Sequence, residues 1–213
     1  MLDGQQVVGD VLNAAAERHG NSTAVQDATG MLTFAELRDR ARRLADALLR
    51  SGLRPGDRVL EALPNGCELL VSEMALALAG LVRVPLNPRL GAREWRGIHN
   101  DSGASGLLID GRLTGADGAR IQDHVSCGIT VRAEEGGLAA LLEAGSADAA
   151  LPNVTPDDLA GLAYSSGTTG MPKGALRTHA MRLAAARAML HEAIAPTGES
   201  GACLLYTSDA ADE

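Results

Sequence analysis

Residues 164–174 read YSSGTTGMPKG and concentrate three glycines, two serines, two threonines and one lysine in one short segment. The whole chain carries 19 lysine and arginine side chains, yet Lys173 is its only lysine. Lysine places a compact charge on a flexible stem, whereas arginine presents a planar fork that suits fixed bidentate partners. The segment therefore predicts a loop that binds phosphate groups.

This loop offers two kinds of phosphate ligand. Glycines can adopt positive φ and let backbone N–H groups face an anion; here they are Gly167, Gly170 and Gly174. Hydroxyl groups donate to phosphate oxygens; here they belong to Ser165, Ser166, Thr168 and Thr169. The hydroxyl of Thr168 or Thr169 can also contact a hydrated magnesium ion. No protein-only metal site is expected.

The segment is not a Walker A loop, because Pro172 and Gly174 flank Lys173 where that motif requires glycine and then serine or threonine. Short motifs also occur by chance, so an ordinary surface turn rich in glycine, serine and threonine is the alternative. The rest of the chain decides between the two.

The surrounding sequence favours the phosphate loop. Residues 164–179, YSSGTTGMPKGALRTH, closely resemble the signature loop of the adenylate-forming enzymes, which comprise acyl-CoA synthetases, peptide-synthetase adenylation domains and luciferases. Upstream segments resemble that family's N-terminal region in the same order, namely residues 32–59, 63–65, 84–90 and 100–105. The resemblance is weakest between residues 111 and 156.

Resemblance and periodicity predict the same fold class. The family resemblance implies an α/β fold with mostly parallel sheets flanked by helices, as the truncated N-terminal part of a ligase large domain. Hydrophobic periodicity also alternates between helix and strand, which favours a mostly parallel sheet. The predicted helices cover residues 8–19, 34 to the glycine at 52, 68–79, 92–100, 138–144 and 179–191. The predicted strands cover residues 23–27, 58–63, 81–86, 105–109, 129–131, 159–164 and 175–177. Residues 146–158 predict an exposed linker.

By resemblance, the intact enzyme joins a carboxylic acid to AMP from ATP with Mg²⁺, and then passes the acyl group to coenzyme A. Lys173, Thr168 and Thr169 would be its catalytic residues. The residues that would bind the nucleotide are Ser165, Ser166, Gly167, Thr168, Thr169, Gly170, Lys173 and Gly174. The form SGTTG at residues 166–170 is more typical of acyl-CoA and aryl-CoA ligases than of amino-acid-activating members. A peptide-synthetase adenylation domain and a non-catalytic nucleotide-binding fragment are the alternatives.

Residues 1–202 are expected to be a partial AMP-binding domain. Residues 203–213, CLLYTSDAADE, resemble the translation of a transposase sequencing adapter, and the alternative is a natural strand with an acidic tail. The family's adenine-site motif, ribose-binding aspartate and C-terminal lysine have no match after Ala202. The chain is therefore expected to be inactive without the C-terminal domain of the same protein.

Composition favours a cytoplasmic enzyme. An apolar content of 46% over 213 residues suffices for a buried core. The net charge of −8 disfavours a nucleic-acid partner. The N-terminus lacks the basic and apolar regions of a secretory signal, and no apolar run approaches the roughly 20 residues of a membrane span.

Three other features have a structural and a functional interpretation. The arginines of the second predicted helix can form an anion-binding strip, although a solvated face is favoured; they are Arg38, Arg40, Arg42, Arg43 and Arg50. His179 can approach a nucleotide, although packing at a helix start is favoured. Trp95 is interpreted as a packing anchor.

Overall fold

The computed structural model describes residue 4, residues 6–165 and residues 172–190. Its helices are α1 (Val8–His19), α2 (Phe34–Arg50), α3 (Cys67–Leu78), α4 (Ala92–Ser102), α5 (Gly137–Ala144) and α6 (His179–Met189), with 3₁₀ turns at Ile121–Asp123 and Ala133–Glu135. Its strands are β1 (Thr23–Asp27), β2 (Gly30–Thr33), β3 (Arg58–Ala62), β4 (Val82–Pro85), β5 (Gly106–Ile109), β6 (Ile129–Arg132), β7 (Leu159–Ser165) and β8 (Lys173–Thr178).

Six of these strands form one sheet in the order β6-β5-β3-β4-β7-β8. All neighbouring pairs are parallel except β7 and β8, which are antiparallel. Strands β1 and β2 form a separate antiparallel hairpin. Every residue of β5, and every residue of β3 after Arg58, is buried, as expected for parallel strands covered on both faces. The predicted fold class is confirmed.

Side chains of alternate residues on the central strands lie in two apolar layers, one on each face of the sheet. Val59 and Leu108 pack with α2 and α3 on one face. Leu60 and Leu107 pack on the other face, where Trp95 of α4 is fully buried. The Trp95 indole N–H donates to the carbonyl of Asn87 at 3.1 Å, so the polar end of the side chain is satisfied. The prediction that Trp95 is a packing anchor is confirmed.

Helix α2 begins at a reciprocal cap. The backbone N–H of Glu36 donates to Thr33 Oγ1 at 3.2 Å, and the backbone N–H of Thr33 donates to the Glu36 carboxylate at 2.8 Å. Leu44 and Leu48 then lie on the buried stripe of the helix with no exposed surface. This capping box and stripe follow the sequence prediction.

The opposite face of α2 differs from the prediction. Arg40 and Arg50 are exposed as predicted, but Arg42, Arg43 and Arg50 also donate to backbone carbonyls at the end of α5 and in the segment that follows it. The acceptors are the carbonyls of Ala147 and Ala149 for Arg42, of Gly145 for Arg43 and of Ala144 for Arg50. We call this set of contacts the arginine clamp. It draws residues 144–149 against α2 and gives these three arginines a structural role.

The prediction of an exposed linker at residues 146–158 is correspondingly wrong in part. Leu151 packs against the core beneath α2 and α3. Exposed and half-buried residues alternate along much of this segment rather than following one another in runs. The arginine clamp explains the difference, because it satisfies backbone carbonyls that an unattached linker would leave to water.

Strand β2 was not anticipated from the sequence. It has four residues, and only Leu32 among them is buried. The hairpin is held by Asp27, whose carboxylate accepts from the backbone N–H of Thr29 at 2.7 Å and of Cys67 at 2.8 Å. These hydrogen bonds hold the pKa of Asp27 well below its usual range. The hairpin thus caps the start of α3.

Candidate phosphate-binding site

The antiparallel hairpin β7–β8 carries the predicted loop. Its register pairs Ser165 with Lys173 and Tyr164 with Gly174. Strand β7 runs parallel to β4, so Ser165 lies at the carboxyl ends of the parallel strands, where open α/β sheets bind their ligands. The intervening predicted residues lie outside the described part of the chain; they are Ser166, Gly167, Thr168, Thr169 and Gly170.

Lys173 and Ser165 close the base of this loop. Both residues are exposed. Within the described residues, no hydrogen bond or ion pair involves the Lys173 ammonium. Their cross-strand pairing brings a hydroxyl and a cation to the same end of the hairpin. Among the described residues, no salt bridge competes with an anion for this cation.

Gly174 differs from the prediction. Its φ lies outside the left-handed region, so it does not supply the positive-φ backbone that the sequence suggested. A Cβ at this position would lie 2.9 Å from Leu162 Cδ1 and 3.1 Å from Tyr164 Cζ. The tyrosine ring therefore lies against the bare backbone of Gly174, where a larger residue would press on Tyr164 and Leu162.

Tyr164 also contacts the helix beneath the hairpin. Its hydroxyl donates to Asp101 Oδ2 of α4 at 2.6 Å. Partial burial and the hydrogen bond to Asp101 raise the pKa of Tyr164, which favours the protonated phenol that donates this bond. Sequence reasoning missed this pair, although both residues lie in segments that carried the family resemblance. The available signal was the tyrosine at the first position of the loop segment, because a half-buried tyrosine hydroxyl needs a hydrogen-bond partner.

A network of charged side chains fixes the helix that follows the hairpin. Glu61 on β3 is only 2% exposed and accepts hydrogen bonds from Ser72 and Arg83. Arg83 also lies 3.8 Å from Glu73, which in turn binds Arg182 of α6. Burial raises the pKa of the Glu61 carboxyl, and the Arg83 charge opposes that rise. The network ties β3 and β4 to α6 across one face of the sheet.

His179 at the start of α6 is fully buried. Its Nδ1 accepts from the backbone N–H of Val8 at 3.2 Å, which places the proton of the neutral ring on Nε2. Burial lowers the pKa of His179. The packing interpretation of this histidine is therefore confirmed. The described residues contain no group of three or more histidine, cysteine, aspartate or glutamate side chains arranged to hold a metal ion.

Comparison with known proteins identifies the family of this chain. A model of the AMP-binding enzyme family matches residues 12–209. The chain belongs to the AMP-binding enzyme family. No helix in its described ranges is both long and apolar enough to cross a bilayer.

Individual relatives of this AMP-binding enzyme include both CoA ligases and peptide synthetases. A feruloyl-CoA synthase from Amycolatopsis sp is 41% identical over 165 residues, covering 75% of this chain and 30% of the relative. The phosphinothricin tripeptide synthetase PhsC of Streptomyces viridochromogenes is 36% identical over 173 residues, covering 79% of this chain and 15% of the relative. Among solved structures, a long-chain-fatty-acid-CoA ligase from Archaeoglobus fulgidus superposes with a TM-score of 0.78 at 28% identity, covering 92% of this chain and 40% of that chain. The chain thus spans well under half the length of these three proteins.

Proposed function

We propose that this chain is the N-terminal part of an ATP-dependent acid–thiol ligase. The complete enzyme would activate a carboxylic acid to an acyl-adenylate and transfer the acyl group to coenzyme A. Membership of the AMP-binding family supports the adenylate-forming step. The observation that carries the proposal is the lone lysine, Lys173, which lies exposed opposite Ser165 at the base of the signature loop.

The described residues fit a polyphosphate. Lys173 presents an exposed positive charge with no partner in the described ranges, and Ser165 presents a hydroxyl beside it. We assign the two residues to the outer phosphates of ATP, where Lys173 would stabilise negative charge that develops on the leaving pyrophosphate. Thr168 and Thr169 would orient the same phosphates. ATP would bring the Mg²⁺ ion, which supplies further charge stabilisation.

The amino-acid sequence of the loop is the reason for proposing coenzyme A as the acyl acceptor. The sequence SGTTG at residues 166–170 resembles the CoA-ligase branch, and the relatives include a feruloyl-CoA synthase. Amino-acid activation is the second candidate, because PhsC is a peptide synthetase of comparable similarity. A carboxylic acid, ATP and coenzyme A are therefore the proposed partners, and the cytoplasm the proposed location.

Pyrophosphate exchange with the full-length ligase tests these assignments. We expect exchange with fatty or aryl acids, AMP release on addition of coenzyme A, and no exchange with amino acids. Acyl-adenylate without any CoA thioester would move the acceptor to a carrier-protein thiol. Exchange with amino acids alone, and no thioester from any acid, would favour the peptide-synthetase candidate.

We further propose that residues 1–202 form only part of the catalytic unit and that residues 203–213 are an adapter-derived addition. The coverage of 30% of the feruloyl-CoA synthase supports the first statement. The purified 213-residue chain is expected to form no acyl-CoA, because enzymes that close a second domain over the substrate need that domain to complete the site. Acyl-CoA formation by this chain alone would contradict the proposal, and the uninterrupted gene sequence past the codon for Ala202 tests the second statement.

A further inference from the structure

We propose that Asp101 and Tyr164 are positioning residues that hold the base of the phosphate loop on helix α4. This inference rests on the proposed function, since it assigns the pair a role in binding the phosphates of ATP. Neither residue would touch the nucleotide; both act through the hairpin that carries Lys173.

The end of the hairpin has little other support from the sheet. Strand β7 pairs with β4 only at Gly161, opposite Arg83, so residues 162–165 extend beyond that pairing. Strand β8 lies at the edge of the sheet and pairs with no described strand other than β7. Five of its six residues are exposed. The carboxyl end of β7 is therefore held by its own ladder to β8 and by side chains that reach the layer below.

Tyr164 links the hairpin to helix α4. Its ring lies over Gly174 on the partner strand, and its hydroxyl binds Asp101, 63 positions earlier in the chain. An aromatic ring that covers a cross-strand glycine stabilises a strand pair where the glycine offers no side chain. The Tyr164 side chain thus contacts both strands of the hairpin, at Tyr164 itself and at Gly174.

Helix α4 is a firm support for this contact. Trp95 and Ile98 bury the helix in the core, with at most 1% of either side chain exposed. Asp101 lies one turn further along the same helix, where its side chain is at the surface. The Asp101–Tyr164 bond therefore transmits the position of a rigid core helix to an exposed hairpin. A hydrogen bond to a charged acceptor is stronger than a hydrogen bond between neutral groups, so a carboxylate is a suitable acceptor for holding the hairpin on the helix.

The lone lysine provides a direct structural test. An endoproteinase that cleaves only after lysine has a single target in the 213-residue chain, the Lys173–Gly174 bond within β8. Tyr164→Phe removes only the hydroxyl, and Asp101→Asn removes only the charge of its partner. We expect each variant to be cleaved at least about threefold faster under native conditions, with the double variant no faster than the faster single variant.

Asp157→Asn is the matched control, because it removes an exposed carboxylate that makes no hydrogen bond or ion pair within the described residues. Its cleavage rate is expected to equal that of the parent. Parent-like cleavage of both Tyr164→Phe and Asp101→Asn would overturn the proposal. Cleavage that also rises in Asp157→Asn would overturn it, because the effect would then be one of surface charge.

Kinetics of the full-length ligase test the role in phosphate binding. We expect Tyr164→Phe and Asp101→Asn each to raise KM for MgATP in pyrophosphate exchange about fivefold while kcat changes less than twofold, because a lost hydrogen bond loosens the hairpin but does not remove the Lys173 ammonium. Asp101→Glu should recover part of the loss. Unchanged KM in both variants would overturn the positioning role. If the parent exchanges no pyrophosphate with any acid, the proposed function fails, and the cleavage rates still decide whether the pair holds the hairpin.

Discussion

The centre of the sheet and its β7–β8 edge are built in opposite ways. All four residues of β5 are buried, whereas no residue of β8 is. The central strands are fixed by apolar layers on both faces, and their sequence is dictated by packing. The β7–β8 hairpin is fixed by a ladder and a few side-chain contacts, and its sequence is rich in residues that suit a ligand. Elements that must admit and release ligands are generally drawn from the less stable parts of a fold.

The difference teaches that stability and the proposed chemistry reside in separate parts of this chain. Substitutions in the centre should change the free energy of unfolding, and substitutions in the hairpin should change nucleotide kinetics. The following predictions test whether the two parts separate as cleanly as their burial suggests.

The largest effect is expected from the centre. Trp95→Ala should lower the free energy of unfolding by about 3–5 kcal/mol, because it removes a fully buried aromatic side chain and leaves a cavity. Leu176→Ser is the matched edge variant: Leu176 on β8 is 58% exposed, and we expect a change within about 0.5 kcal/mol. Urea unfolding measures both.

Trp95→Ala can fail to fold, so a milder central variant is included. Ile98→Val removes one methyl group from the same layer and should cost about 1 kcal/mol. If Leu176→Ser destabilises the chain as much as Ile98→Val does, the contrast between centre and edge is wrong.

The next effect is kinetic and belongs to the hairpin. In the full-length ligase, Lys173→Ala should slow pyrophosphate exchange by about two to three orders of magnitude, because it removes a charged group that stabilises developing negative charge. Its unfolding free energy should match the parent, since the side chain is exposed. Lys173→Arg should rescue the rate only in part, since a planar fork does not replace a compact ammonium. Exchange within a few-fold of the parent in Lys173→Ala would remove this residue from the site.

A smaller, pH-dependent effect is expected where α6 joins the body of the fold. His179 has a pKa below its ordinary value of 6.5, because burial disfavours the charged ring and Arg182 adds to the shift, while Asp158 and Asp10 oppose it. The unfolded chain therefore binds the proton first, and stability should fall as the pH drops below about 6.5 and level off below the pKa of the folded state. Protonation also turns the acceptor of the Val8 N–H into a donor.

Comparison with His179→Gln isolates this contribution, because glutamine keeps a hydrogen-bonding side chain and does not titrate. We expect the unfolding free energy of the parent to decline more steeply than that of His179→Gln between pH 7.5 and about 5.5. Parallel curves for the two proteins would show that the His179 pKa does not differ between the folded and unfolded states.

Much of the scaffold was predictable because local signals and tertiary packing agree. The bounds of α1 and β1 match the prediction to the residue. Helix α2 followed from its cap at Thr33 and its apolar stripe, which depend only on neighbours a few residues apart. The position of the loop after an apolar strand and its lone lysine were also visible in the sequence. The predicted end of α6 at residue 191 falls outside the described residues.

The missed features depend on contacts between distant parts of the chain. The Tyr164–Asp101 bond joins residues 63 positions apart, and the bond from Arg42 to the carbonyl of Ala149 joins residues 107 apart. No periodic pattern encodes such pairs. Gly174 was misinterpreted for the same reason: it is a strand residue that pairs with Tyr164 across the ladder and not a turn residue.

The arginine clamp has a consequence for how this protein tolerates sequence change. Its acceptors are backbone carbonyls, which every amino acid supplies, so the bonds from Arg42 do not depend on the side chains of residues 147 and 149, whereas a Cβ at Gly145 would collide with the backbone of Arg43. Random mutagenesis should therefore recover many replacements at Ala147 and Ala149, and few at Arg42, whose guanidinium serves both positions. Variation within the segment and constancy on the helix would arise from the same set of hydrogen bonds.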